Sequence, residues 1–233
     1  MPFGYGRNRM DHLHCIFDLD GTLTNPAEGI TKSLNDALQK MGAPEREAEA
    51  LLTYIGPSIR DTFSELLSSK DEAVVMQAVT FYRERYFTIG FRENFVYDGV
   101  DSMLETLARE GRHLYVATMK RQDIAENVLR HFDLLKYMDA VYGCDLGVTK
   151  VEVLRLLCAE RGIRGRACIM IGDRNQDITA ARQNGMFSLG ALWGFAQPGE
   201  LARAECNALA ASPREIHSIV QTIEAQQTTK RPD

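Results

Sequence analysis

The sequence predicts an α/β fold, with a parallel sheet covered by helices on both faces and a helical segment inserted after the first strand. Short runs that are apolar throughout, such as residues 13–17 and 167–171, alternate with helical patterns over much of the chain. Strands without polar alternation are typical of a parallel sheet that is buried on both faces. Between residues 26 and 96 the periodicity is helical only, so this stretch is expected to form a separate helical unit.

The individual elements are predicted from apolar spacing and from residues that begin or end helices. Apolar residues follow helical spacing across 28–41, and Gly42 ends that helix. Ser69 and Glu72 form a predicted capping box for a later helix, and Asp98 is the predicted N-cap of the first helix after the insertion. The other predicted strands are 113–118, 140–142 and 187–192, and the other predicted helices include 121–132, 150–161 and 176–184.

The domain organisation that these elements predict is discontinuous. Residues 12–25 and 97–224 are assigned to the α/β core, and residues 26–96 to the helical insertion. The polar ends, 1–11 and 225–233, are expected to be loose tails. A chain of 233 residues is long enough for one good-sized core with a smaller attached domain.

Composition narrows the class of partner. The formal net charge is -5, from 27 Lys and Arg against 32 Asp and Glu, which gives no support to a nucleic acid polymer or an anionic membrane as partner. The five cysteines show no CxxC spacing and lie mostly in apolar runs, as expected for thiols in a reducing compartment. No apolar run reaches the length of a membrane span. The sequence is therefore expected to be that of a cytoplasmic protein.

Chemically active side chains follow the predicted strands. Asp18 and Asp20 end the first strand, and Thr118 ends the second. Because the carboxyl ends of parallel strands meet at one edge of a sheet, these side chains are expected to converge with those after the later strands. Two carboxylates so close together repel each other, unless a divalent cation neutralises them or one of them stays protonated. Gly21 would let backbone amides approach an anion there.

The later strand ends supply further acids and a cation. Asp173 follows the strand at 167–171, and Asp177 lies four residues further on. Together with Asp18 and Asp20 they are expected to place three or four carboxylates around one point, which is a site suited to a hard cation such as Mg²⁺. Lys150 begins a helix behind a capping box of Thr149 and Glu152, so its charge and the helix amides are expected to face the same anion.

At this point the chain resembles the haloacid dehalogenase superfamily of phosphohydrolases. The four motifs occur in order as Asp18-Leu19-Asp20-Gly21-Thr22, Thr118, Lys150, and Gly172-Asp173 with Asp177. The insertion is similar to the cap of the phosphoglycolate phosphatase-like branch, and residues 26–96 are called the cap segment below. Four further segments are similar to a subgroup of bacterial phosphoglycolate phosphatase-like and 5′-nucleotidase-like proteins. They are Gly29-Ile30-Thr31-Lys32-Ser33, Ile55-Gly56-Pro57, Gly172-Asp173-Arg174 and Leu192-Trp193-Gly194.

The resemblance implies a Rossmann-like core and a role for each motif residue. Asp18 would be the nucleophile that forms an aspartyl-phosphate, and Asp20 the general acid and base. Mg²⁺ would be bound by Asp18, Asp173 and the backbone carbonyl of Asp20. Asp177 would act through a bound water or by contacting the residues that bind the metal, rather than the metal itself. The phosphate-binding positions that the resemblance implies are Gly21, Thr118, Met119 and Lys150.

Three departures from the family pattern accompany this resemblance. Met119 stands where a smaller polar residue is usual, although Lys120 is retained, and Asn25 stands where an aspartate is frequent. The loop 143–149 is shorter than is usual, which affects the placement of Lys150. None of these departures removes a residue that the chemistry needs.

The function predicted is a Mg²⁺-dependent phosphatase that acts on a small phosphorylated metabolite, as a monomer or homodimer. Phosphoglycolate is the first candidate, with nucleoside monophosphates and sugar phosphates next. A phosphomutase of the same branch and a regulatory or binding protein without turnover remain alternatives. Selection of the substrate is assigned to the cap segment, where the candidates are Lys32, Tyr54, Arg60 and Arg83.

Overall fold

The strands form one large parallel sheet and a small ribbon in the computed structural model, which describes residues 12–144 and 147–229. The strands are β1 (His14–Phe17), β2 (Thr24–Asn25), β3 (Phe95–Val96), β4 (Leu114–Ala117), β5 (Ala140–Tyr142), β6 (Cys168–Gly172), β7 (Phe187–Ala191) and β8 (Ala208–Ala210). The large sheet has the order β5-β4-β1-β6-β7-β8, and all its pairings are parallel. This confirms the predicted α/β class.

The described ranges contain ten α-helices, of which the first four belong to the cap segment. They are α1 (Ala27–Lys40), α2 (Ala48–Leu51), α3 (Ile59–Leu66), α4 (Glu72–Tyr86), α5 (Val100–Arg109), α6 (Gln122–His131), α7 (Lys150–Arg161), α8 (Asn175–Gln183), α9 (Glu200–Arg203) and α10 (Ile216–Thr229). Short 3₁₀ turns occur at Leu52–Tyr54, Gly90–Arg92, Leu135–Tyr137, Gly165–Ala167 and Pro213–Glu215.

Both faces of the sheet are buried, as the apolar strands predict. In β1, Cys15 and Phe17 belong to one hydrophobic cluster and Ile16 to a second cluster on the opposite face. All three side chains are inaccessible to solvent. Because side chains alternate along a strand, β1 at the centre of the sheet needs apolar residues at every position. The motif that follows β1 is therefore fixed on a rigid base.

The cap segment has a hydrophobic cluster of its own. Leu34 from α1, Phe63 from α3 and Val79 from α4 are fully buried within it. Ile124 from α6 also packs there, so the cap segment rests on the core. The domain boundaries remain a prediction.

The connections to the cap segment are not wholly helical. Thr24 pairs with Val96 and Asn25 with Phe95 in the antiparallel ribbon of β2 and β3. The prediction that residues 26–96 are purely helical is therefore wrong at its C-terminal end. There the segment that leaves the core and the segment that returns to it form backbone hydrogen bonds with each other.

Two predicted helix caps are also wrong. The side chain of Asp71 caps α4 by accepting from Ala73 N at 2.9 Å, whereas Ser69 Oγ accepts from Asp71 N at 3.2 Å. At α5 the N-cap is Gly99, with a left-handed φ of 86°. The Thr149 and Glu152 capping box of α7 is confirmed.

The C-terminal region contains structure that sequence patterns missed. β8 adds an edge strand beside β7, and α10 continues to Thr229, so the predicted tail from residue 225 is wrong at its start. Ile216 and Val220 of α10 are buried in the core. The predicted tails 1–11 and 230–233 lie outside the described residues. No helix within the described ranges is both long enough and apolar enough to cross a membrane.

Candidate active site

The ends of β1, β4 and β6 and the start of α7 bring the predicted motif residues together. Asp18, Thr118, Lys150, Asp173 and Asp177 are all buried. Each lies directly after a strand or at the first turns of the following helix. The convergence that the parallel topology predicts is therefore present, although the residues are as much as 159 positions apart, from 18 to 177.

Three of these residues form a compact acid cluster. Carboxylate oxygens of Asp18, Asp173 and Asp177 lie within 4.8 Å of one another. Burial raises the pKa of Asp173 well above its usual value, and the neighbouring acids Asp177 and Asp18 raise it further. Burial also raises the pKa of Asp177, to about 6, with Lys150 opposing that shift. Buried carboxylates that resist ionisation in one another's presence are a donor set suited to a hard divalent cation.

Lys150 holds two members of this cluster. Its Nζ lies 2.8 Å from Asp18 Oδ1 and 2.8 Å from Asp177 Oδ1. Burial alone would lower the pKa of Lys150, but the charges of Asp177 and Asp18 outweigh burial and raise it. The Asp177 carboxylate also accepts the backbone N–H of Arg174 at 3.1 Å. Asp177 therefore helps to orient Lys150, which contacts Asp18.

Asp173 is oriented by two further donors. Thr22 Oγ1 donates to its Oδ1 at 3.1 Å, and the backbone N–H of Phe195 donates to its Oδ2 at 2.8 Å. Gly21 passes so close that a Cβ there would lie 2.1 Å from Asp173 Oδ2, and its φ is +88°. The structural reason for glycine at this position is thus contact with Asp173. Its predicted contact with phosphate stays a prediction.

A second lysine, Lys120, holds Asp20. Its Nζ lies 2.7 Å from Asp20 Oδ2 and donates to Tyr86 Oη at 2.8 Å. Burial raises the pKa of Asp20, and Lys120 opposes that shift. From sequence, Lys120 is recognisable only as a residue that the family retains. Its signal was a cation two positions beyond Thr118, but the partner from the cap segment could not be identified.

The chain directly after β4 supplies two further residues of the site, Thr118 and Met119. Thr118 Oγ1 accepts from Lys120 N at 3.2 Å. Met119 accepts a hydrogen bond at its carbonyl from Cys144 Sγ, at 3.1 Å. Both Thr118 and Met119 line the cavity described next, which is compatible with their predicted place beside a bound anion.

A cavity of about 110 Å³ lies between the strand ends and the cap segment. From the core it is lined by Asp18, Asp20, Thr118, Met119, Lys120, Arg121, Cys144, Gly147 and Val148. From the cap segment it is lined by Ile30, Tyr54, Gly56, Pro57, Ser58, Ile59, Tyr82, Arg83, Tyr86 and Phe87. The cap segment therefore forms a wall opposite the charged strand ends.

The four cap residues proposed from sequence divide into two pairs. Tyr54 and Arg83 line the cavity. Lys32 and Arg60 are not among the described residues that line it, so their assignment is not supported. Lys32 instead forms surface ion pairs with Glu28 and Glu93, and Arg60 forms one with Glu72.

Comparison with known proteins agrees with this site. The sequence profile of the haloacid dehalogenase-like hydrolase family matches residues 15–191. A protein of Pseudomonas aeruginosa named 5'-nucleotidase is 41% identical over 189 residues, which cover 80% of this chain and 85% of that protein. Tyrosine-protein kinase PtkA of Mycobacterium tuberculosis is 34% identical over 185 residues, and the match spans 77% of this chain but only 62% of PtkA.

Solved structures of phosphatases share this fold. The crystal structure of a predicted phosphatase from Clostridium acetobutylicum superposes with a TM-score of 0.86 at 36% identity, covering 91% of this chain and 99% of that one. Phosphatases of this family generally use a divalent metal, and the acid cluster of Asp18, Asp173 and Asp177 is where this chain could hold one. The chain therefore belongs to the haloacid dehalogenase-like hydrolase family and is a phosphatase, an enzyme that hydrolyses phosphoric monoesters.

Proposed function

We propose that the chain is a Mg²⁺-dependent phosphatase of a small phosphate monoester and that Asp18 forms an aspartyl-phosphate. The observation that carries this proposal is the ion pair of Asp18 with the buried Lys150, 2.8 Å apart at the floor of the cavity. The pair fixes the orientation of the Asp18 carboxylate towards the cavity that it lines. An oriented carboxylate beside a cation is the arrangement needed for attack on an anionic phosphoryl group.

In the first step, an oxygen of Asp18 attacks phosphorus while the ester bond to the leaving oxygen breaks. Asp20 donates its proton to that oxygen, which departs as the alcohol. The raised pKa of Asp20, which follows from its burial, supports a proton being present there. Lys120, 2.7 Å from Asp20 Oδ2, holds the carboxyl group in place.

In the second step, Asp20 takes a proton from a water molecule, which attacks phosphorus and releases Asp18 and inorganic phosphate. Thr118 and Lys150 would contact phosphate oxygens in both steps: Thr118 lines the cavity beside Asp18, and Lys150 lies 2.8 Å from Asp18 Oδ1. Mg²⁺ bound by Asp18, Asp173 and the Asp20 carbonyl would supply positive charge to those oxygens. Asp177 would act on Lys150, with which it is already paired.

The size and lining of the cavity support a small substrate with a second anionic group. About 110 Å³ accommodates only a few heavy atoms beyond the phosphoryl group. Arg83 lines the cap side and forms no ion pair with a carboxylate within residues 12–144 and 147–229. A phosphorylated small acid such as phosphoglycolate fits this lining. A nucleoside monophosphate is the second candidate, because Tyr54 and Phe87 offer aromatic surface and a 41% identical relative is named 5'-nucleotidase. A nucleoside is larger than this cavity, so its binding would require the cap segment to move outwards.

Phosphate release from a panel of phosphoglycolate, nucleoside monophosphates and sugar phosphates tests this proposal. We expect Mg²⁺-dependent release, and a loss on the order of 10³-fold or more in Asp18→Asn, because the nucleophile is removed. The matched control is Asp101→Asn, at an exposed aspartate of α5, which should change the rate by less than about twofold. Unchanged release by Asp18→Asn would sink the assignment.

Binding of the metal is tested without turnover by thermal unfolding. MgCl₂ should raise the Tm of the wild-type protein, since a ligand that binds only the folded state stabilises it. Asp173→Asn should lose that rise. The variant's own Tm without metal is expected to be no lower than that of the wild type, because one of three mutually repelling carboxylates is gone. An equal rise in both proteins would place the cation elsewhere.

A further inference from the structure

Two sequence motifs with no part in the proposed chemistry lie against each other. One is Ile55-Gly56-Pro57 in the cap segment, and the other is Arg174, next to Asp173 at the end of β6. Arg174 Nη1 donates to the carbonyl of Ile55 at 2.6 Å and to that of Thr53 at 3.4 Å. These bonds join the core to the cap segment at the edge of the candidate site.

A neighbouring side chain makes the same kind of contact. Gln176 Nε2 donates to the carbonyl of Gly56 at 2.9 Å. Gly56 has a φ of +106°, and a Cβ there would lie 3.2 Å from both Arg174 Cγ and Gln176 Nε2. Three residues of one turn, 53, 55 and 56, therefore present their carbonyls to two core side chains that follow Asp173.

Arg174 is also held in place by the core. Its Nε lies 3.1 Å from Glu200 Oε1. The Glu200 carboxylate also accepts the backbone N–H groups of Asn175 and Gln197, each at 2.8 Å. Glu200 is nearly buried, at 8% exposed. A guanidinium group that is held on one edge by a carboxylate keeps its other donors aimed at the carbonyls.

The turn that these bonds hold is part of the cavity wall. Tyr54, Gly56 and Pro57 all line the cavity, while Arg174 itself is not among the described residues that do. Since the acceptors are backbone carbonyls, the contact does not depend on which side chains the turn carries. Arg174 therefore determines where this part of the cavity wall lies, whereas the side chains of the turn determine its chemistry.

We propose that Arg174 is a positioning residue, which docks the turn at residues 53–57 onto the core and so sets the cap wall of the cavity against the substrate. Gln176 supports the same docking through Gly56, and Glu200 orients Arg174. The effect on the substrate rests on the phosphatase function proposed above. The docking itself does not.

Hydrogen–deuterium exchange of the complete chain tests the docking without substrate. Arg174→Ala should speed amide exchange of residues 52–58 by about tenfold or more, because the turn opens more often when its anchor is gone. Arg174→Lys should do so to a smaller extent, since one ammonium group cannot reach Glu200 and both carbonyls. Arg182→Ala, which removes an exposed cation of α8 paired with Glu205 at 3.7 Å, is the matched control and should leave this segment unchanged.

The outcomes decide between docking and general stability. If Arg174→Ala leaves exchange of 52–58 unchanged, or Arg182→Ala speeds it equally, the proposal is overturned. If Arg174→Ala speeds exchange throughout the sheet, the milder Arg174→Lys and Gln176→Ala variants decide, and their failure to speed exchange in this turn overturns the proposal as well.

Kinetics supply the second readout. Arg174→Lys should raise KM for the best substrate of the panel by about tenfold while kcat changes less, and should leave inhibition by inorganic phosphate unchanged, because the residues proposed to bind phosphate all belong to the core. A loss of stability without that split would leave Arg174 a purely structural residue. If no substrate on the panel turned over, the phosphatase proposal would fail while the exchange result still judged the docking.

Discussion

The two walls of the cavity differ in what fixes their side chains. The core wall carries charged groups at strand ends, paired as Asp18 with Lys150 and Asp20 with Lys120. The cap wall is mainly aromatic and apolar. Its Tyr82 and Tyr86 belong to the hydrophobic cluster of the cap segment and stack on each other, with ring centroids 5.2 Å apart.

The difference separates chemistry from selection. Strand ends of a buried sheet have almost no freedom to move, so the core wall offers the same charges to any phosphate ester. Cap residues are placed by helix packing and by contacts such as Lys120 with Tyr86. Changes in the core wall should therefore affect every substrate, and changes in the cap wall should affect some substrates more than others.

The largest effect is expected from Lys150→Met. Lys150 is buried between Asp18 and Asp177, so its removal leaves two carboxylates without their cation. Loss of one partner from a buried ion pair costs about 3 kcal/mol in the free energy of unfolding. Urea unfolding measures that loss, and phosphate release should fall for every substrate on the panel.

Lys120→Met is the matched comparison for that variant. Lys120 pairs with only one carboxylate, Asp20, whose pKa is already raised by burial and which can take up a proton instead. We therefore expect a smaller loss of stability than in Lys150→Met. An equal or larger loss would contradict the expectation that a lysine shared by two buried carboxylates stabilises the fold more than a lysine paired with one.

Gly21→Ala should have the next largest effect. The added methyl group would lie 2.1 Å from Asp173 Oδ2, on a backbone with φ of +88°. We expect a loss of about 2 kcal/mol in the free energy of unfolding, together with weaker stabilisation by Mg²⁺ as Asp173 is displaced.

Gly111→Ala separates the two causes. Gly111 has a similar φ of +77°, but among the described residues a Cβ there would meet no atom within 4 Å apart from those of its own chain neighbours. Only backbone strain, about 1 kcal/mol, is expected there, with normal stabilisation by Mg²⁺. If both variants respond to Mg²⁺ alike, contact between Gly21 and Asp173 is not what requires glycine.

The core wall was largely predictable from sequence. Apolar strands identify a parallel sheet, and the topology then brings the residues after each strand to one edge, which places Asp18, Thr118 and Asp173 together without any knowledge of packing. The Thr149 and Glu152 capping box is local, so it too could be recognised from residue spacing.

The cap wall was not predictable in the same way. Arg83, Lys32 and Arg60 are all cations on cap helices, and only the packing of those helices decides that Arg83 alone of the three lines the cavity. The contact of Lys120 with Tyr86 joins residues 34 positions apart through tertiary structure. Strands as short as β2 and β8 carry too few residues to show a pattern.

Arg83→Ala tests the selective role of the cap wall. For a substrate with a second anionic group, we expect KM to rise about tenfold with a smaller change in kcat, because the lost contact is present in both the bound and the reacting state. Lys32→Ala, which removes a cap cation held by Glu28 and Glu93, should leave KM unchanged. Steady-state kinetics on phosphoglycolate and on a neutral sugar phosphate distinguish the two. Equal effects on both substrates would show that Arg83 does not select by charge.

The smallest effect is expected at the ion pair of Arg112 with Glu224, neither of which lines the cavity. This pair shows how much a buried charge contributes to stability where it has no role in catalysis. Glu224 accepts from Arg112 through Nη1 and Nη2, and from the backbone N–H of Leu13 at 2.7 Å. Burial alone would raise the pKa of Glu224, but these hydrogen bonds outweigh burial and lower it. The unfolded chain therefore binds a proton at higher pH than the folded chain does. The stabilisation is present above the ordinary pKa of glutamate and is lost as the pH falls through the lower pKa of the folded state.

Glu224→Gln should remove that part of the pH dependence. We expect the variant to be less stable than the wild type by about 1 kcal/mol near neutral pH, and the two free energies of unfolding to converge on acidification from about pH 5 to pH 3. Urea unfolding over this range measures the convergence, with Glu205→Gln, at a glutamate 82% exposed, as control. Phosphate release at neutral pH should stay unchanged, because the pair touches neither wall. A difference in stability that persists at low pH would mean that Glu224 acts through packing, and a loss of activity would mean that the two walls do not account for the whole site.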